Sequence, residues 1–112
     1  MKISFIGHGY VGLVTAAIFA DLGNSVWVVG RTAEKIENLR RGVMPFFEPG
    51  LEEMVKRNIA GKRIFFTLDY AEAVSQSEIV FIAVGTPPEK TGEADLSSVF
   101  ASAREIGKNL TH

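Results

Sequence analysis

Six residues near the start of the chain, Gly7-His8-Gly9-Tyr10-Val11-Gly12, constrain its fold more than any other feature. They match the spacing Gly-x-Gly-x-x-Gly, which is weak alone and takes its meaning from what flanks it. Lys2 to Ile6, before it, is a short run with β-branched and aromatic residues, and predicts a strand. From Tyr10 to Leu22 the apolar residues fit a helical period, with Gly23 at the stop. Ser25 to Val29 predicts a second strand, and Asn24 closes the turn before it. A glycine cluster between a strand and a helix, followed by another strand, is the context the pattern requires.

Each glycine then has a mechanical task. Gly7 permits the tight turn, Gly9 lets the backbone approach a pyrophosphate, and Gly12 allows close helix–strand packing. The helix start offers unpaired N–H groups and partial positive charge to an anion. A dinucleotide is therefore the expected ligand. His8 is either an exposed turn residue or a donor to a phosphate; Tyr10 either packs or lines the adenosine side.

The rest of the chain repeats the alternation. Thr32 is expected to cap a helix through Arg41 that ends at Gly42, its hydroxyl accepting from a first-turn N–H. Residues 43 to 48 read as irregular, and Pro49 as a first-turn proline opening a helix to about Ile59. Ile64 to Thr67 predicts a third strand, Tyr70 to Gln76 a short helix, and Ile79 to Val84 a fourth strand. The unbroken hydrophobicity of that fourth strand suggests cover on both faces. Asp95 is expected to cap a last helix. The order predicts an α/β fold: a Rossmann-like, doubly wound parallel sheet, partial, with about four strands in the order 3-2-1-4.

Composition narrows the function. At 112 residues, 46% hydrophobic and 22% charged, with net charge −1, the chain reads as one globular domain, residues 1–112. It has no basic footprint for nucleic acid or an anionic membrane. With no cysteine, disulfides and thiolate metal sites are excluded. The longest apolar run, Ile79 to Val84, is too short to span a bilayer. A cytoplasmic location is the default expectation.

Three further motifs carry a resemblance. Met1-Lys2-Ile3 with Gly9-Tyr10-Val11-Gly12-Leu13-Val14-Thr15, then Glu48-Pro49-Gly50-Leu51-Glu52-Glu53, then Val84-Gly85-Thr86-Pro87-Pro88 with Ala94-Asp95-Leu96 run in order along nearly the whole chain. Together they resemble the N-terminal region of the UDP-glucose and GDP-mannose dehydrogenases. The resemblance implies two Rossmann-like domains joined by a long helix, and NAD-dependent oxidation of a nucleotide-sugar alcohol to a uronic acid. It places a nucleophilic cysteine in a later domain, absent from these residues, so the 112 residues are expected to be inactive alone. It assigns cofactor contacts to the positions corresponding to Gly7 through Gly12, with Tyr10 and Val11 among them, and to Gly30, Lys35 and Thr86. Thr86 would follow the fourth strand, where ligands of open α/β sheets bind. Lys35 either reaches the adenine ribose or is a solvated lysine.

One departure bears on the cofactor. The second strand should end in an acidic residue that binds the ribose hydroxyls, and Gly30-Arg31-Thr32 stands there instead. A carboxylate repels a 2′-phosphate, whereas Arg31 can fork onto one. Losing a charged hydrogen bond costs about 1.5–3 kcal/mol, so NAD would weaken. NADP is thus plausible from these residues and NAD is implied by the resemblance; a solvated Arg31 with Thr32 as a simple cap keeps NAD open.

The expected function is the cofactor-binding part of a nucleotide-sugar 6-dehydrogenase. The alternatives are a free-standing NAD(P)-binding sensor and another NADP-linked oxidoreductase. The chain ends without a turn-and-stop signal, which favours continuation. An open fourth strand is expected to promote self-association through its edge.

Overall fold

The computed structural model describes residues 1–84 and 96–110. Strands β1 (Lys2–Ile6), β2 (Ser25–Val29), β3 (Ile64–Thr67) and β4 (Ile79–Ile82) form one sheet in the order β3-β2-β1-β4. Every pairing is parallel, so each connection must cross over. Helices α1 (Tyr10–Asp21), α2 (Ala33–Arg40), α3 (Leu51–Ala60) and α4 (Tyr70–Gln76) lie along these connections, and α5 (Ser97–Asn109) follows β4. The register sets Ile6 beside both Val29 and Ile82, and Val29 beside Thr67. The segments that follow β1, β2 and β3 therefore open at one end of the sheet.

Strand alternation divides the core in two. Ile3, Phe5, Val26 and Val28 face α1 and α3, where they meet Leu13, Ala16, Ala17 and Val55. Ile6 and Val29 face the other side with Ala73 of α4, packed by Val80 and Ile106. Each fully buried Leu, Ile or Phe stabilises the fold by about 1.5–3 kcal/mol. Ser4 is also fully buried, and its hydroxyl donates to the Ala73 carbonyl at 3.1 Å. Ser77 shares a hydrogen bond with that hydroxyl, which ties α4 to β1 without an orphaned polar group.

Three local expectations need correction. Thr32 is the N-cap of α2 in backbone terms, but its hydroxyl makes no capping hydrogen bond; the residue lines a cleft beside the sheet edge. Pro49 does not open α3. The Leu51 N–H donates to the Glu48 carbonyl at 3.0 Å, and Gly50 holds φ +82 and ψ −10. Glu48-Pro49-Gly50-Leu51 is thus a type II turn, proline at its second position and glycine at its third, and α3 starts after it.

The fourth strand stops at Ile82 and is an outer strand, with Ile79, Phe81 and Ile82 each about 40% exposed rather than covered on both faces. Its apolar residues still pack inward in part: Phe81 stacks on Phe5 and Phe19, with ring centroids 5.0 and 6.1 Å apart, and Val80 packs on the opposite face. Asp95 lies outside the described residues; Leu96 occupies the N-cap of α5.

Candidate functional site: a cleft at the glycine turn

The turn after β1 is built by what its glycines lack. Gly7 adopts φ +112, and a Cβ there would stand 2.6 Å from the Ala83 carbonyl oxygen. A Cβ at Gly12 would stand 2.8 Å from the Gly7 carbonyl oxygen and 3.0 Å from the Ala83 Cβ. These approaches bring α1 down onto the ends of β1 and β4. Gly9 differs: nothing lies within 4 Å of a Cβ placed there, so a side chain would project into open space beside the turn.

The first bond of α1 runs from the Leu13 N–H to the Gly9 carbonyl at 2.9 Å. The N–H groups of Tyr10, Val11 and Gly12 precede it and have no partner within the helix. No acidic side chain stands in the first turn and none caps it. The positive end of the helix is therefore left for an external anion.

Beside this turn lies a cleft of about 450 Å³, within the range of small-molecule sites. Gly7, His8 and Gly9 form one wall, and Gly30, Arg31, Thr32 and Lys35 form another. Pro45, Phe46, Tyr70 and Val84 complete it. Among the described residues its only charged lining groups are Arg31 and Lys35, and no carboxylate is part of the lining. Among the described residues no salt bridge pairs either cation. Among the described residues no cluster of His, Asp and Glu is placed to hold a metal, and no helix is long and apolar enough to cross a membrane.

The family model described as the UDP-glucose/GDP-mannose dehydrogenase family, NAD binding domain, matches residues 1–112. The chain belongs to this family. It is 50% identical over 110 residues to a UDP-glucose 6-dehydrogenase of Pseudomonas aeruginosa, which spans 98% of this chain and 24% of that protein. A GDP-mannose dehydrogenase ternary complex from Pseudomonas aeruginosa superposes with a TM-score of 0.94 at 38% identity, covering 97% of this chain and 25% of that one. A UDP-glucose dehydrogenase from Pyrobaculum islandicum does so with a TM-score of 0.92 at 42% identity, covering 96% and 25%. The chain thus spans about a quarter of the length of these relatives, at the part that is the family's NAD-binding domain.

Within this NAD-binding domain the cleft brings together Gly7, Gly9, Gly30, Arg31 and Lys35. Tyr10 and Val11 do not line it with their side chains, which are 54% and 70% exposed. The Tyr10 ring lies against Phe46, centroids 5.4 Å apart. The neighbouring Glu48 carboxylate, as a hydrogen-bond acceptor first and then by its charge, with slight desolvation, holds the Tyr10 phenol above its ordinary pKa. Tyr10 thus sets the 43–50 segment against α1 through Phe46, a contact that sequence reasoning did not supply. Thr86 lies outside the described residues.

Sequence reasoning also missed Pro45, Phe46 and Tyr70. A Pro-Phe pair in an irregular stretch beside a glycine turn was the available signal for the first two. Tyr70 carried none.

Proposed function

We propose that this chain is the cofactor-binding domain of a nucleotide-sugar 6-dehydrogenase, and that its cleft holds NADP(H) more tightly than NAD(H). The single observation that carries the preference is the wall formed by Gly30, Arg31 and Lys35, with no carboxylate among the described lining residues. An acceptor-only side chain at position 30 would hold a ribose diol and repel a 2′-phosphate; Gly30 does neither.

The residues fit a dinucleotide in three ways. Gly9 leaves the space beside the turn clear for a pyrophosphate. The N–H groups of Tyr10, Val11 and Gly12 present donors and the helix dipole to it. Arg31 and Lys35 stand on the wall at the end of β2, where the adenosine ribose of such a ligand would lie. The bound nicotinamide supplies hydride transfer in such enzymes; these residues bind and orient it. Thr86 remains a candidate by family resemblance, and a nucleotide sugar is the substrate proposed for the whole enzyme.

Titration calorimetry of the purified protein with NADP+ and NAD+ tests the preference. Charge-assisted bonds to a 2′-phosphate contribute roughly 1.5–3 kcal/mol, so NADP+ should bind at least about tenfold more tightly. Arg31→Ala should remove most of that difference. Equal affinities in the parent, unchanged by Arg31→Ala, would leave Arg31 a solvated surface residue and overturn the preference.

A further inference from the structure

We propose that His8 sets cofactor discrimination in this cleft, its imidazole filling the space that a side chain at position 30 would need. The inference deepens the dinucleotide reading above and rests on it. A Cβ built on Gly30 falls 2.7 Å from His8 Cδ2, 3.0 Å from His8 Nε2 and 2.7 Å from Ile36 Cδ1. Gly30 is absent from the positive-φ glycines, so its backbone admits any L residue. The requirement for glycine at position 30 is therefore one of space. Ile36 is 1% exposed and locked in the core cluster under α2. Both groups would have to yield, and His8, half-buried on the cleft wall, is the one that borders open space. An acidic residue at 30 and the observed His8 ring thus exclude one another.

This exclusion changes the chemistry of the wall. A carboxylate only accepts hydrogen bonds, whereas imidazole carries at least one N–H donor and no negative charge. His8, Arg31, Thr32 and Lys35 all line the same cleft, which makes the described wall rich in donors. That composition suits the oxygens of a phosphate ester on the adenosine ribose. In a bare ribose the two hydroxyls would have to find acceptors elsewhere. His8 is in this account a specificity-determining residue, and Gly30 the space that admits it.

A double-mutant cycle tests the pairing. Calorimetric affinities for NADP+ and NAD+, with melting temperatures, would be measured for the parent, His8→Ala, Gly30→Asp and the double variant. His8→Ala should weaken NADP+ about tenfold and leave NAD+ within about threefold, a loss confined to the 2′-phosphate. Gly30→Asp alone should melt lower and bind both cofactors poorly. Adding His8→Ala to it should raise the melting temperature and tighten NAD+ by about tenfold or more over Gly30→Asp alone. If Gly30→Asp does not fold, the cofactor ratio of His8→Ala decides by itself.

The pairing is wrong if His8→Ala leaves the NADP+/NAD+ ratio of the parent unchanged. It is equally wrong if Gly30→Asp gains NAD+ affinity to the same extent with and without His8. A parent that binds neither cofactor would remove the dinucleotide reading itself, and this inference with it.

Discussion

Replacing Gly12 with valine should separate packing from ligand binding at the glycine turn. The first carbon of the new side chain would stand 2.8 Å from the Gly7 carbonyl oxygen and 3.0 Å from the Ala83 Cβ. The closer of the two is backbone, which cannot swing aside as a side chain does, so α1 must lift from the sheet. Overpacking of this kind costs about 1–3 kcal/mol. The better helix propensity of valine returns only about 0.4 kcal/mol. Unfolding entropy for a chain of this length is about 0.24 kcal/mol/K, so the net cost should lower the melting temperature by roughly 3–11 °C. Thermal unfolding followed by circular dichroism measures it. Gly9→Ala is the matched control, because nothing lies within 4 Å of its Cβ; it should melt within about 2 °C of the parent. Equal melting of Gly12→Val and parent, or an equal loss in Gly9→Ala, would refute the argument from close approach.

Two further outcomes follow from other parts of the fold. Asp21 accepts hydrogen bonds from Asn58 at 3.0 Å and from Arg57 at 3.0 Å, and the two bonds, Asn58 first, hold its carboxyl below the usual range. A carboxylate of lowered pKa contributes stability above its unfolded pKa and loses it as pH falls through the folded value. Asp21→Asn should therefore destabilise at pH 7, and its gap from the parent should close in acid melts; a gap constant down to pH 2 would contradict the linkage. The outer edge of β4 carries exposed Ile79, Phe81 and Ile82 and should recruit a second copy of the chain. Sedimentation equilibrium at micromolar concentrations should show a dimer or larger species that Ile82→Lys weakens, and a sharply monomeric mass would rule it out.

Much of the fold was legible because single residues carried separate physical signals. The three glycines of the motif, the stops at Gly23 and Gly42, and the switch between periods of two and of helical spacing placed the strands and most helix ends. Gly23 and Gly42 do adopt positive φ, as helix stops often require. Pro49 misled because proline's fixed φ suits both a helix's first turn and the second position of a turn; Gly50 after it was the cue. Thr32 was read as a hydroxyl cap from its type and place, but the residue lines the cleft and its hydroxyl makes no capping bond. The exposure of β4 depends on which elements flank it, and hydrophobicity alone does not encode that. In the site, Gly30 and Arg31 were readable as a departure from a pattern. The fit of His8 over Gly30 was not, because residues distant in sequence meet only once β1 and β2 pair.

The central claim is that the cleft between the glycine turn and the end of β2 is a dinucleotide site. The most direct test is amide chemical-shift mapping of the isotope-labelled protein titrated with NADP+. The account predicts saturable shifts concentrated at residues 7–12 and 30–35, with smaller ones at Phe46 and Tyr70, the other walls of the cleft. Shifts that cluster elsewhere, or none at millimolar cofactor, would contradict it.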